Sequence, residues 1–529
     1  MDWLAKRAQT TPEALALLIG ERRWTYGQLD ELAGRLAGYL QAQGVRPGNL
    51  VAALLPNSLE YVCLIHALAR LGAILVPLNT RLTEAEIAWQ LEHVGAKWVA
   101  AGEELSMVNC QLPIVSEAVW RSADPLTIDY WPLTIDHLQA IVFTSGTSGR
   151  PKGAMLTYAN HYHSALASAE RLGTQADDLW LSTLPLYHVG GLAVVWRSCL
   201  YGTAVSLHPR FDLPTINHDL DHNPITLISL VPTMLHRLLQ TRAHWPATLR
   251  LILLGGAAAP PELIEQANAL PRKLSMVNGQ LSIVNEAASS PLTIDNQQLT
   301  IDHSPPPLIS PTYGLTEAAS QVATATPEEA ARKPGSVGKP LPGITVAIVD
   351  EQGNPLPPKA IGEIVVTGPT VMAGYFNEQR IPVNSEREMG NDQSSIVNCQ
   401  SSIATGDLGY LDEEGDLWLV QRRSDLIVSG GENVYPAEVE AVLRAHPAVE
   451  NACVVGAPDP EWGQKVAALV QLKPEQSLSE TDLLAFCRER LAGYKRPRLL
   501  QFAPELPLTA SGKLAREAVS RRFASMGPL

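Results

Sequence analysis

At 529 residues the chain has room for two to four domains of roughly 100–200 residues each, which excludes a small stapled module. With 46% hydrophobic and 18% charged residues, 38 Gly and 40 Pro, the composition is that of a globular protein with many connections, and wholesale disorder is excluded. Forty Lys and Arg against 54 Asp and Glu give a formal charge of −14, a field that repels polyanions, so no nucleic-acid partner is expected and any phosphate must be held locally.

The six cysteines, Cys63, Cys110, Cys199, Cys399, Cys453 and Cys487, form no CxxC pair, which argues against a zinc site and a disulfide framework and fits a reducing cytoplasm. The first residues show neither an apolar core with a small-residue cleavage site nor a run near 18 apolar residues, so neither export nor stable membrane insertion is expected.

In chain order, residues 26–45 carry apolar side chains at helical spacing, 49–56 read as a short apolar strand, 58–73 as a second helix and 73–79 as a second strand. The apolar run 138–143 is a further strand. After residues 425–436 the pattern starts afresh, with helices over 437–447 and 480–492 and strands over 451–458 and 466–472. Alternation of this kind predicts an α/β fold, with mixed sheets flanked by helices in a large N-terminal domain, 1–423, and a small mobile α+β domain, 424–529.

Short repeats interrupt it. SMVN occurs at 106 and 275, SIVN at 282 and 395, and LTID at 126, 133, 292 and 299. The seven-residue spacing within clusters is too short and too broken by Pro125, Pro132 and Pro291 for a coiled coil, and the copies are too far apart for a solenoid. A seven-nucleotide DNA unit read in triplets returns to frame every seven residues, so segments near 104–136, 273–304 and 385–403 read as repeat-derived inserts; a small binding module is the other reading.

Residues 144–153, TSGTSGRPKG, follow the strand at 138–143. Backbone N–H groups of a Gly-rich turn point at anion oxygens, the hydroxyls of Thr144, Ser145, Thr147 and Ser148 donate, Gly146 and Gly149 allow close approach, and Lys152 adds charge. The string is not a Walker loop, since GxxxxGK[ST] cannot be laid over it. It resembles the phosphate loop of the adenylate-forming family of acyl-CoA synthetases, luciferases and peptide-synthetase adenylation domains.

That resemblance recurs downstream in the family's order. Tyr313, Gly314, Leu315, Thr316 and Glu317 match its YGxTE element, which implies Tyr313 against adenine, Thr316 facing phosphate and Glu317 holding Mg2+. Thr405, Gly406 and Asp407 match its TGD, implying Asp407 on the ribose hydroxyls. Arg422 to Asp425 match a stretch in which Arg422 reaches the ribose and Ser424 is the interdomain hinge. Gly430, Gly431, Glu432 and Asn433, followed by Tyr435, Pro436 and Glu438, resemble the loop lining the pantetheine tunnel, and residues 507–513 the element bearing the catalytic Lys513. The resemblance further implies adenine on the turn Gly255, Gly256, Ala257; His188 gating the acyl pocket, with Arg197 and Ser320 along it; and Lys495 near the CoA phosphates. An isolated acid or lysine is most often a solvated surface charge, and it is the motif around each that reverses this.

The implied activity is AMP-forming acid:thiol ligation with ATP, Mg2+ and coenzyme A. The carboxylate attacks the α-phosphorus, pyrophosphate leaves, and the thiol then displaces AMP. Residues 77–82 (PLNTRL), 185–197 and YGLTEAASQVAT most resemble the o-succinylbenzoate:CoA ligase branch of menaquinone or phylloquinone biosynthesis. A dianionic substrate calls for a cation in the pocket, Arg197 here. A medium-chain or aryl acid:CoA ligase is the alternative activity. A relic impaired by inserts is the alternative of another class, because the third insert ends just before Asp407. A homodimer is left open.

Overall fold

The computed structural model describes residues 2–102, 117–126, 134–145, 151–257, 259–272, 275–277, 280–282, 308–376, 401–421, 426–507 and 514–524. Its centre is a nine-stranded sheet in which Ile309–Leu315, Leu251–Leu254, Leu227–Leu230, Leu179–Ser182, Ala204–Leu207 and Leu15–Ile19 run parallel and side by side. LILL, LISL, LWLS and AVSL are buried along their whole length, as strands covered on both faces by helices must be.

A second sheet runs Trp98–Ala101, Leu50–Leu54, Ile74–Pro77, Leu138–Ser145, Pro151–Thr157, parallel except for its last hairpin. Helices Tyr26–Ala42 and Leu59–Leu71 fill the space between the two sheets through Leu29, Leu36, Leu40, Leu64 and Leu68. Thr25 with Gln28 and Thr83 with Glu86 close capping boxes that fix where the helices Tyr26–Ala42 and Glu84–Val94 begin.

A four-stranded antiparallel sheet, Thr345–Val349, Gly362–Thr367, Ser402–Leu411, Leu417–Gln421, packs its own core around Ile348, Ile364, Val366 and Leu417. From Ile427 onward a separate sheet, centred on Val449–Asp459 and Gly463–Leu472 and covered by helices Pro436–Arg444, Glu480–Arg488 and Arg516–Ala524, forms the C-terminal unit. The boundary expected near Ser424 lies outside the described residues. Among those described, no helix is long and apolar enough to cross a membrane, and Cys63, Cys199, Cys453 and Cys487 are buried.

Two of the segments read as inserts are narrower than the repeats suggested. Within 104–136, Trp120 is fully buried and Arg35 donates to the carbonyls of Arg121 (3.2 Å) and Ala123 (3.1 Å). A Cβ at Gly38 would stand 2.1 Å from the Asp124 carbonyl oxygen, so residues 117–126 are seated in the fold. Within 385–403, Ile403 pairs with Val366 and packs on the antiparallel sheet's core. Of 273–304, the described part is a two-stranded hairpin, Ser275–Val277 with Gln280–Ser282.

Candidate active site

One cleft is lined by the second sheet, the Ile309–Leu315 strand end, the antiparallel sheet and the C-terminal unit, with Thr144, His188, Thr316, Glu317, Asp407 and Glu432 among its walls. On one side, the strands Leu138–Ser145 and Pro151–Thr157 pair so that Thr144 stands opposite Lys152. Strand Ile309–Leu315 returns as Ser320–Thr324 through a 3-10 turn at Thr316–Ala318, and this tight reversal places Ala319 (φ 50°) and Ser320 (φ 100°) in the left-handed region.

The reversal points Glu317 into the cleft mouth. Its Oε1 accepts from the Thr144 hydroxyl (3.2 Å) and the Tyr375 hydroxyl (2.8 Å), and its carbonyl accepts from Met372 N (2.8 Å). Lys152 Nζ lies 5.0 Å from the Tyr375 ring centroid. Asp407 is set by the strand Ser402–Leu411. Thr405 Oγ1 donates to the Ile364 carbonyl (2.9 Å), the Asp407 N–H donates to that hydroxyl (3.1 Å), and the Tyr313 hydroxyl donates to Asp407 (2.7 Å). Asp407 thus stands on the cleft wall beside Tyr313.

On the other side a turn of the C-terminal unit enters. Gly430 and Gly431 hold φ of 60° and 84°, and a Cβ on Gly430 would stand 2.5 Å from the Trp462 ring, so glycine is required there. Beyond them Glu432, 3% exposed, takes bonds from Tyr187 Oη, His188 Nε2, Arg81 Nη1 and Asn79 Nδ2, each at 3.1 Å. Burial pushes its carboxyl up, but His188, Arg81 and Tyr187 outweigh burial and hold it at about 2. Asn79 also donates to Tyr494 Oη (3.2 Å), and Arg81 lies over the Tyr494 ring at 4.9 Å.

Hydroxyls and a carboxylate on one wall, with a turn from a second unit on the other, suit nucleotide chemistry followed by an attack from the far side. Residues 4–280 and 281–376 match the AMP-binding enzyme family, and 438–513 match the AMP-binding enzyme C-terminal domain. The chain belongs to that family. It is 38% identical over 519 residues to the 2-succinylbenzoate–CoA ligase of Bacillus licheniformis, covering 97% of this chain and 98% of that protein.

Among solved structures it resembles a double mutant of the Bacillus subtilis o-succinylbenzoate CoA synthetase bound to the product analogue OSB-NCoA, with a TM-score of 0.83 at 38% identity, covering 98% of this chain and 97% of that one. The same enzyme with the acyl-adenylate OSB-AMP gives 0.67 at 37% identity over the same coverage. Identity and coverage barely differ between the two, so the gap lies in the arrangement of parts.

Of the residues the family resemblance implied, Thr144, His188, Gly314, Thr316, Glu317, Asp407, Glu432 and Lys495 line this one cleft. Tyr313 is 1% exposed, its ring in the core beneath, and only its hydroxyl reaches Asp407. Gly255 and Gly256 sit at the end of strand Leu251–Leu254, where a Cβ would stand 2.7 Å from Thr312 and 2.9 Å from Val231. Gly146, Thr147, Ser148, Gly149, Arg422, Ser424 and Lys513 lie outside the described residues, as does the side chain of Ser145.

Three placements differ from expectation. Lys495 is 3% exposed and bonded to two carboxylates, so it is not a free cation awaiting a CoA phosphate. Arg197 is 2% exposed, is not a wall of this cleft, and donates to Ser164 Oγ (3.1 Å), which in turn donates to the Ala319 carbonyl (2.7 Å). Ser320 is likewise absent from the wall, being used in the reversal behind Glu317. Tyr187, Tyr375, Asn79 and Arg81 were missed. Asn79 and Arg81 stood in PLNTRL, a string noticed for its wording and not for its hydrogen-bonding side chains.

Proposed function

We propose that this chain ligates o-succinylbenzoate to coenzyme A through an acyl-adenylate, releasing AMP and pyrophosphate, as a step of menaquinone or phylloquinone biosynthesis. The observation that carries the reading is the single cleft: nucleotide-type residues Thr144, Glu317 and Asp407 on one wall, and Glu432 of the C-terminal unit seated on His188 at the other. Likeness to 2-succinylbenzoate–CoA ligases over nearly the whole chain supports the acid.

The residues suit Mg2+ as a nucleotide-borne ion. Glu317 offers a hard carboxylate beside the Thr144 and Thr316 hydroxyls, and no cluster of three His, Cys, Asp or Glu that could hold a metal occurs among the described residues. One protein carboxylate plus phosphate oxygens is the usual magnesium environment. When bound, Mg2+ neutralises phosphate charge as pyrophosphate departs.

In the first half reaction Thr144, Lys152 and their loop hold the phosphates, Asp407 takes the ribose hydroxyls, and Lys513 neutralises charge developing between the substrate carboxylate and the α-phosphate. In-line transfer is chiefly positioning, which is why Glu317 is tied by two hydroxyls before any ligand arrives. In the second, Gly430 and Gly431 let the thiol arm pass close to backbone, and Glu432 holds His188 aside from the acyl group. Arg197, buried behind the reversal, supports the pocket wall through Ser164. A cytoplasmic location follows from this reading, since ATP and CoA are its co-substrates.

The test is purified protein with ATP, Mg2+ and CoA, offered o-succinylbenzoate, octanoate or benzoate, with AMP and acyl-CoA detected by mass. Thioester from o-succinylbenzoate alone is expected. Turnover of octanoate or benzoate instead would replace the substrate, and no AMP from any acid in a folded sample would leave an inactive relic.

A further inference from the structure

The junction between the C-terminal unit and the rest has a second polar contact beside Glu432. Lys495 Nζ lies 2.7 Å from Glu86 Oε1 and 2.6 Å from Glu438 Oε1. Lys495 and Glu438 both belong to the C-terminal unit, where Glu438 sits in the first turn of helix Pro436–Arg444, directly after the strand that carries Glu432. Their bond needs no partner from outside. Glu86 belongs to the other body, and its second oxygen is already committed to the Thr83 N–H and hydroxyl, both at 2.8 Å. Glu86 is thus held by its own helix in the orientation that receives Lys495. Leu82, on the same short segment, packs against the C-terminal core.

Lys495 and Glu438 are buried and Glu86 is partly so, with side-chain exposures of 4%, 9% and 12%. One cation between two carboxylates leaves a net negative charge out of water, and the third charge joins only when the C-terminal unit is docked. Such a cluster is a poor way to gain stability and a good way to fix a register, since it tolerates little displacement.

We infer that Lys495 is a positioning residue for thioester formation: its bond to Glu86 registers the C-terminal unit on the segment 79–86, so that Glu432 reaches His188. The role rests on the two-step reading above. It predicts that the contact matters only to the half reaction run in this arrangement, the one shared with the product-analogue complex.

Replacing Lys495 would strand Glu438 in the interior and risks misfolding, so the test uses Glu86→Gln. Glutamine can keep its oxygen on Thr83 in the capping box, and its NH2 then faces Lys495, so both the charge and the acceptor are removed from that contact. Adenylation is followed by pyrophosphate–ATP exchange, and thioester formation by single turnover of preformed acyl-adenylate with CoA, using whichever acid the unsubstituted protein adenylates. Exchange should stay within about twofold, while the thioester step slows on the order of tenfold, as loss of a charge-assisted bond implies. Equal slowing of both steps, or of neither, overturns the inference. An unsubstituted protein that adenylates no acid would instead sink the two-step reading.

Discussion

Trp196 has a buried histidine on each of two sides, His66 edge-on with ring centroids 5.2 Å apart and His161 at 6.3 Å. Burial pushes His66 down to about 4, against a small opposing pull from Asp2, and burial with Arg197 nearby pushes His161 down to about 3. Both are neutral when folded. The unfolded chain, with ordinary imidazoles near 6.5, binds protons first as pH falls, so stability is whole above about 6.5 and declines toward pH 4. Each ring costs on the order of 3 kcal/mol by pH 4. Thermal unfolding between pH 7.5 and 4.5 should show this slope, and His66→Phe should make it shallower; an unchanged slope would mean that other groups carry the acid sensitivity. Neither histidine stood out in the sequence. His188 did because a motif surrounds it, whereas His66 is buried against Trp196 and His161 lies near Arg197, neighbours distant along the chain from each.

The reversal between strands Ile309–Leu315 and Ser320–Thr324 is the element that makes Glu317 useful. Its crossing is so close that a Cβ on Gly314 would stand 1.6 Å from the Ser320 carbonyl oxygen. Gly314→Ala must therefore spread the hairpin, at a cost of about 1–3 kcal/mol for forced overpacking, and carry Glu317 away from Thr144 and Tyr375. A lower urea midpoint with adenylation cut at least about tenfold is expected; an unshifted midpoint would show that the hairpin yields freely. Elements of this kind were partly legible. The apolar runs at 49–56 and 138–143 and the helical spacing over 26–45 and 58–73 became strands and helices, because burial on both faces or one stripe writes itself into residue order. The limits of the inserts were not. Trp120 and Ile403 lie close to repeat wording, and only the contacts with Arg35's helix and with Val366 reveal that they belong to the fold.

At the scale of the whole molecule, the motifs singled out side chains that line the cleft but not which of them meet across the junction. Lys495 read as a cation near the CoA phosphates because nothing in its neighbourhood along the chain announces Glu86, more than four hundred residues away. Glu432 stood in a string read as lining the pantetheine tunnel, and its four partners come from residues 79–81 and 187–188 of the other body. Since those partners hold its carboxyl at about 2, below the ordinary 4.5, its contribution to docking is complete above about pH 4.5 and is lost only as pH falls toward 2. Docking should thus be indifferent to this carboxyl across the neutral range and sensitive to its removal. Glu432→Gln leaves His188 and Arg81 facing a neutral amide in a buried site. Dyes on cysteines introduced at the exposed Glu31 and Glu480, with Cys110 and Cys399 replaced, report the distance between the two bodies, the described native cysteines being buried. The substituted protein should show a broader, longer distance distribution than its parent at pH 7.5, while the parent's distribution should stay constant from pH 6 to 8. Identical distributions would mean that apolar contact such as Leu82 on the C-terminal core, and not the Glu432 charge, holds the two bodies together.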